Sequence, residues 1–272
     1  MAEPILFAKK SVASPTNYED SKLSPAPDLL PPEIIDQFFS VDVRSFTDDL
    51  SAIEEKQKHL DHFSQTLYLR LQEAEKGMTE ACARVQVKLE GDNKAVRQAM
   101  TIFREEIAPW YNQSFLMRRA TVKPRGYPGD YLILQGIYDN VPRSLGIGNY
   151  LDLLFLNDPL ALAARSRKDV IRHKLRETIK SNGKGAEVMN IASGTCQEWY
   201  ELLPTFADNA LNLTCIDFDT MALDYARTRL AGLKKKVEIK YIKENALKLA
   251  VRKDNVSRYG SVSYTHLRAH ET

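Results

Sequence analysis

The chain has 272 residues, 43% of them hydrophobic and 27% charged, with a formal net charge of +2. That length allows one large or two small globular domains with ample core, and the near-balanced charge argues against nucleic-acid binding driven by bulk electrostatics. Cys82, Cys196 and Cys215 form no CxxC pair and no zinc spacing, the first residues lack a signal-peptide core, and no apolar run is long enough for a membrane span, so a reduced, cytoplasmic setting is expected.

Residues 1–32 carry Pro4, Pro15, Pro25, Pro27, Pro31 and Pro32 among Ser, Asp and Asn, and are expected to form a disordered tail. A helical region is expected over 33–182. It opens with a short helix from Glu33 to Phe39, entered through Pro31 and Pro32. From Arg44 to Lys76 the periodicity predicts one long amphipathic helix with Phe46, Leu50, Ile53, Leu60, Phe63, Leu67, Leu71 and Ala74 on one face, stopped at Gly77. Phe46, Ile53, Leu60, Leu67 and Ala74 are seven apart, but Gln57 and Ser64 interrupt the second column of a coiled-coil seam, which favours antiparallel packing over a zipper. Further helices are expected over Thr79–Leu89 and Asn93–Ile107, separated at Gly91 and Asp92 and closed by Pro109. His59 and His62 are three apart without an HExxH partner and read as exposed histidines, so no metal is expected.

The stretch Met117 to Tyr131 is punctuated by Pro124, Gly126, Pro128 and Gly129, and neither helix nor strand is expected to run through it. Two readings stand: a loop that closes over a ligand site and presents Arg125, Tyr127 and Asp130, or a stiff connector whose tyrosines pack on neighbouring helices. Residues 130–157 return to helix around a turn at Gly146 and Gly148. A longer helix runs from Pro159 to about Asn182, with Leu162, Val170, Ile171, Leu175 and Ile179 as its apolar stripe. Its remainder is basic: Arg165, Arg167, Lys168, Arg172, Lys174, Arg176 and Lys180. Such a face could attract an anion, although a solvated helix surface is the commoner explanation. Asn182 and Gly183 are expected to cap it.

Glu187 to Asp219 carries the chemistry. An apolar run, Val188 to Ile191, leads into the small-residue turn Ala192-Ser193-Gly194-Thr195-Cys196. A helical pattern follows, then a second apolar run, Leu213 to Ile216, ending on Asp217. This is the order of a nucleotide-type half-site in a parallel α/β sheet. A dinucleotide fingerprint needs a third glycine where this chain has Gln197, which disfavours a nicotinamide or flavin cofactor. S-adenosylmethionine has no pyrophosphate and does not need it. Its candidate contacts are Asn190, Ala192, Ser193, Gly194 and Thr195 at the turn, and Asp217, 23 residues past Gly194, for the ribose hydroxyls, with Asp219 as the fallback. Phe218 is the candidate for stacking on adenine. A third strand, Val237 to Ile242, is followed by Asn245 and Ala246 at the corner where a side chain and a backbone amide would meet the adenine.

Phe103 to Ser114, Lys123 to Tyr131 with its RGYPGDY block, and Asn190 to Gly194 together resemble a bacterial family of class I S-adenosylmethionine-dependent methyltransferases, many labelled as making the methyl ester of 3-hydroxypalmitic acid. The resemblance spans roughly residues 100 to 260. It implies a helical N-terminal region over a Rossmann-like core, a fatty-acid-like or other small-molecule acceptor, and a site role for Arg125, Tyr127 and Asp130 as catalytic candidates. The family's first turn is richer in glycine, and Ala192 and Cys196 depart from it.

After the third strand the chain lacks the later strands that the family leads one to expect. Residues 261–272, which include an HxxxH spacing at His266 and His270, resemble a translated-adapter tail and read as non-native. The expected fold is therefore α/β: a disordered tail (1–32), a helical region (33–182), a partial S-adenosylmethionine-binding, Rossmann-like parallel sheet (183–260) and the tail (261–272). The expected function is a methyltransferase, here truncated and inactive, with no nucleic-acid partner. The alternative is a helical interaction or regulatory module attached to a domain that senses S-adenosylmethionine.

Overall fold

The structure, a computed structural model, describes residues 33–127, 129–182, 185–206, 211–246 and 261–264. The tail 1–32, the Gly183 cap, and His266 and His270 lie outside them. The chain divides into two compact units. One comprises the described residues up to Thr121 together with Pro142–Phe155, and the other comprises Val122–Val141 together with the described residues from Leu156 onward.

The first unit is helical. It contains α1 (Glu33–Gln37), a π-helical turn (Phe38–Val43), α2 (Arg44–Lys58), α3 (Gln65–Lys88), α4 (Asn93–Tyr111) and α5 (Phe115–Val122), with α7 (Ile147–Asn157) returning to it after α6 (Tyr131–Asp139) of the second unit. The single helix expected from Arg44 to Lys76 is broken between Lys58 and Gln65. Ser64 adopts extended backbone there and its side chain accepts the Leu67 N–H at 3.4 Å, while its own N–H donates to the Tyr150 hydroxyl at 2.8 Å. The apolar period continues across the break, and so hides it. α3 then runs through Gly77 to Lys88, because a single glycine among good helix formers costs only about 1 kcal/mol.

Arg70 pairs with Asp49 at 2.6 Å and Arg84 with Asp42 at 3.0 Å. Numbers rise along α3 as they fall along the preceding segment, so the packing is antiparallel as expected. Phe46, Leu50 and Ile53 meet Leu67, Leu71 and Met78 in one core with Ile147, Tyr150 and Leu151. The apolar stripe that hinted at a seam is thus covered inside the unit. α4 continues past the expected stop through Pro109, which falls in its last turn. α5 (Phe115–Val122) runs into the stretch from Met117 where neither helix nor strand was expected.

A buried carboxylate holds the end of this unit together. Asp152, fully buried, accepts from Ser114 Oγ at 2.5 Å and from the N–H groups of Leu116 at 3.2 Å, Arg143 at 2.8 Å and Ser144 at 2.9 Å. Four donors fill its four acceptor positions.

The second unit is α/β. Around a parallel sheet of β1 (Ala186–Ile191), β2 (Leu211–Asp217), β3 (Glu238–Lys243) and β4 (Ser261–Tyr264) it places α6, α8 (Pro159–Asn182), α9 (Gln197–Leu202) and α10 (Thr220–Leu230). The strand order is β3-β2-β1-β4. Ile191 stands opposite Ile216, and Asp217 opposite Lys243. Val188, Leu211, Leu213 and Cys215 pack with Leu175 and Ile179 of α8, Trp199 and Leu202 of α9, and Leu223, Ala226 and Leu230 of α10. Met189, Ile191 and Ile216 form a second cluster, as alternation requires of strands buried on both faces. β3 exposes Glu238, Lys240 and Lys243, charges that discourage further strand pairing at a sheet edge.

Among the described residues the sheet has four strands where three were expected. Ser261–Tyr264, read from sequence as non-native, pairs along β1 from Val188 to Ile191. Main-chain pairing asks only for an extended segment, and Val262 and Tyr264 favour one. The basic residues of α8 are largely engaged: Lys168 and Arg172 bind Glu201 at 2.6 and 2.5 Å, Lys174 binds Glu177 at 3.1 Å, and Arg165 donates to the Ile137 carbonyl at 3.4 Å. Among the described residues no helix is long and apolar enough to cross a membrane.

Two glycines in the helical unit have opposite expectations. A Cβ at Gly148 would lie 2.2 Å from the Gln113 carbonyl oxygen, whereas one at Gly77 would meet nothing within 4 Å. Gly148→Ala is expected to destabilise by about 2 kcal/mol or more and Gly77→Ala to stabilise by about 0.5–1 kcal/mol, both read by denaturant unfolding.

Candidate functional site

The candidate site lies where β1 and β2 end. Three residues of the turn after β1 adopt left-handed backbone: Ala192 (φ 53°), Gly194 (φ 51°) and Cys196 (φ 52°). Only glycine does this without strain, at a cost of about 1–2 kcal/mol for other residues. The two departures from a glycine-rich turn therefore keep the glycine conformation. Hydrogen bonds hold it in place: Ser193 N–H donates to the Ile216 carbonyl at 3.0 Å and Cys196 N–H to the Ser193 carbonyl at 2.9 Å. Strain so supported marks places where backbone shape matters more than stability.

Asp217 is 8% exposed and joins two backbone segments. Its Oδ2 accepts the Gly194 N–H at 2.8 Å and its Oδ1 the Asp219 N–H at 2.9 Å. Its own carbonyl accepts the Glu244 N–H at 3.0 Å, which ties in the end of β3. Burial raises the Asp217 pKa above the usual carboxylate value and the nearby Asp219 adds to this, while the amides of Asp219, Gly194 and Phe218 oppose it. A carboxylate has about four acceptor positions, and the Gly194, Asp219 and Phe218 amides act on up to three of them, which leaves room for a further donor.

Asp219 is different. Its Oδ1 accepts from Arg125 Nη2 and from Met221 N–H at 2.9 Å, and its Oδ2 from Arg125 Nε at 3.0 Å and the Tyr127 hydroxyl at 2.9 Å. Those four bonds saturate it. Burial acts to raise its pKa, but Arg125, Tyr127 and the Met221 amide outweigh this and hold the carboxyl below its ordinary value. Asp219 is therefore no fallback for a ligand diol; it anchors the loop and caps α10. Phe218, between the two, is 52% exposed and meets the Tyr127 ring edge-on at 5.0 Å.

The remaining candidates divide. Asp130 is fully buried and its Oδ1 caps α6, accepting from Leu132 and Ile133 N–H at 2.9 and 3.3 Å. Asn190 is also fully buried, and its amide donates to Glu198 Oε1 at 3.1 Å, so it supports the turn from beneath. Ser193 and Thr195 of the turn are buried, 1% and 3% exposed. Asn245 N–H donates to Glu244 Oε1 at 3.0 Å, and Ala246 packs against Met189, Ile191 and Ile216.

Gln197, which stands where a dinucleotide site has its third glycine, is 7% exposed. Its Oε1 accepts from Gln135 Nε2 at 3.1 Å and from Arg229, and its Nε2 donates to Glu201 at 2.6 Å. Gln135 Oε1 also accepts from Arg229 at 2.7 Å. This knot joins α6, α9 and α10. Sequence reading missed it, as it missed the Asp219 anchor, because the partners are far apart in the chain. It also missed Glu198, whose carboxyl is pushed up to about 7 by burial, with Glu201 adding to the effect and Asn190 and Lys168 opposing it. The sequence signals only an acidic residue, Glu198, in the first turn of the helical pattern after the small-residue turn.

Cys196 and Cys215 are buried free thiols with sulfurs 3.5 Å apart, and the Cys196 pKa is raised by its contact with Cys215 and by burial. Cys82 is pushed up to about 11 by burial. These are inert thiols. His59 lies 3.4 Å from Glu55 and His62 2.8 Å from Asp61, both exposed, and no metal-holding group of His, Cys, Asp or Glu occurs among the described residues.

No known family profile matches the chain, and no curated protein matches it. A solved structure, described as a possible exported protein from Bordetella parapertussis, aligns with 77% of this chain and 56% of its own at 18% identity and a TM-score of 0.42. The chain thus spans a little over half of that protein's length.

Glu198 sets a pH dependence. Its folded pKa of about 7 exceeds the ordinary 4.5, so between those values the folded state holds more protons than the unfolded state. Its contribution to stability is full below pH 4.5, declines as pH rises, and is lost above about 7. Glu198→Gln is expected to be more stable than the parent at pH 8, by on the order of 3 kcal/mol, and the difference should shrink toward pH 5 in urea titrations. Ala192→Gly is expected to gain about 1 kcal/mol in the same measurement by relieving left-handed strain.

Proposed function

We propose that the second unit is the Rossmann-like cofactor domain of an S-adenosylmethionine-dependent methyltransferase. Parallel α/β sheets bind ligands beyond the carboxyl ends of their strands, and the turn after β1 and the carboxylate ending β2 lie at that edge of a sheet ordered β3-β2-β1-β4. The observation that carries the reading is Asp217: it is fixed by the Gly194 and Asp219 amides at the end of β2 and keeps acceptor capacity for a further donor. Two adjacent acceptor oxygens suit a ribose diol, and the exposed Phe218 ring beside them suits an adenine face. Gln197, tied into the knot with Gln135 and Arg229, fills the place where a pyrophosphate cofactor requires glycine. That supports S-adenosylmethionine over a dinucleotide.

The bound cofactor would supply an activated methyl group. The chain's own part is to position it and to exclude water: Asp217 for the ribose, Phe218 for the adenine, and the backbone of Ala192 to Thr195 along the methionine end. The acceptor proposed is the carboxylate of a fatty-acid-like small molecule. Such a nucleophile is already ionised at neutral pH, so the reaction asks for no strong general base among these residues.

Calorimetric titration of the 272-residue chain with S-adenosylmethionine tests the proposal. Saturable binding is expected, with Asp217→Ala weakening it roughly ten- to a hundredfold through loss of charged hydrogen bonds worth about 1.5–3 kcal/mol. Absence of binding by the parent chain, or full affinity in Asp217→Ala, would remove the assignment.

A further inference from the structure

We infer that Arg125 and Tyr127 are positioning residues for the nucleoside end of this site, acting through Asp219, and do not orient the methyl acceptor. The inference rests on the cofactor reading above and assigns two residues within it. The loop that carries them turns on left-handed backbone at Lys123 (φ 49°) and Gly126 (φ 75°), with Gly126 N–H donating to the Lys123 carbonyl at 2.8 Å. That turn delivers Arg125 and Tyr127, two residues apart, to one carboxylate. The guanidinium takes both oxygens of Asp219, and the phenol takes Oδ2 at 2.9 Å. A bidentate charged pair of this kind fixes direction as well as distance.

The fixed group is two residues from the candidate ribose acceptor. Asp219 donates its own N–H to Asp217 Oδ1 at 2.9 Å, so holding the Asp219 side chain holds the backbone amide that orients Asp217. Tyr127 acts a second time, since its ring meets Phe218 edge-on at 5.0 Å while leaving that ring 52% exposed. One loop therefore sets the carboxylate for the ribose and the ring for the base. With Arg125 Nε and Nη2 and the Tyr127 hydroxyl on Asp219, these groups serve the nucleoside side. The ligand class they serve is an adenine nucleoside with a free ribose diol, whatever its 5′ substituent.

Two probes separate the ends of the site. S-adenosylhomocysteine carries the nucleoside and the amino-acid end, and 5′-methylthioadenosine carries the nucleoside alone. Their dissociation constants are to be measured on the 272-residue parent, Tyr127→Phe, Arg125→Ala and Arg125→Lys, with thermal unfolding read in parallel. Tyr127→Phe keeps the ring and loses only the hydroxyl bond, so it remains informative if removing Arg125 impairs folding. The expectation is a loss of roughly fivefold for Tyr127→Phe and roughly tenfold or more for Arg125→Ala, equal for both probes, with partial recovery in Arg125→Lys. Binding by the parent that neither Tyr127→Phe nor Arg125→Ala changes overturns this inference alone, as does a loss confined to S-adenosylhomocysteine. Failure of the parent to bind either probe overturns the cofactor reading, and this inference with it.

Discussion

The Asp217 carboxylate receives backbone N–H groups from two segments, the turn after β1 at Gly194 and the start of the helix after β2 at Asp219. Parallel strands end with amides and carbonyls that the sheet no longer pairs, and leaving them buried without partners costs free energy. Here one side chain satisfies two of them, and the Asp217 carbonyl satisfies a third from Glu244. The ends of β1, β2 and β3 are thereby laced to a single residue. The left-handed residues Ala192 and Cys196 are tolerable because this lacing, together with Ser193 N–H on the Ile216 carbonyl, leaves the turn no cheaper path.

The two aspartates that follow one another at the end of β2 have opposite environments. Burial raises the pKa of Asp217, whose partners are backbone amides; Asp219 takes four hydrogen bonds, two of them from one bidentate guanidinium, and its pKa is lowered. Pairs of carboxylates pushed apart in this way usually have separate tasks. Asp219 is saturated and anchors the loop, whereas Asp217 keeps acceptor capacity. Below them a polar layer sets the spacing of the helices: Gln135, Gln197 and Arg229 at one level, and Glu201 with Lys168 and Arg172 at the next. Glu198 sits within this layer, its carboxyl pushed up to about 7 by burial, and supports Asn190 at the end of β1.

The helical unit follows a different logic. Its apolar stripes on α2 and α3 are consumed by each other and by α7, with Leu50, Ile53, Leu71 and Leu151 fully buried. Asp152 then closes the unit by meeting Ser114 and three backbone amides. Much of the amphipathic pattern from Arg44 onward is met by packing inside the unit.

What the amino-acid order determined by itself was local. Apolar runs bounded by small residues marked β1 and β2, alternation marked β3, and an acidic residue at the proper interval marked the end of β2. The α/β class of the second unit and the position of the turn were legible because periodicity and turn chemistry act over a few residues. Tertiary structure decided what depended on distant partners. The period of 3.6 continued across the break before Gln65, so only the Ser64 cap and the Tyr150 hydroxyl reveal the hairpin. Asp130 and Asn190 resembled site residues by position but point into caps and supports. Arg125 and Tyr127 reach Asp219 across separations of 94 and 92 residues. No local spacing encodes such a pairing, because it forms only when the sheet has brought the loop and the end of β2 together.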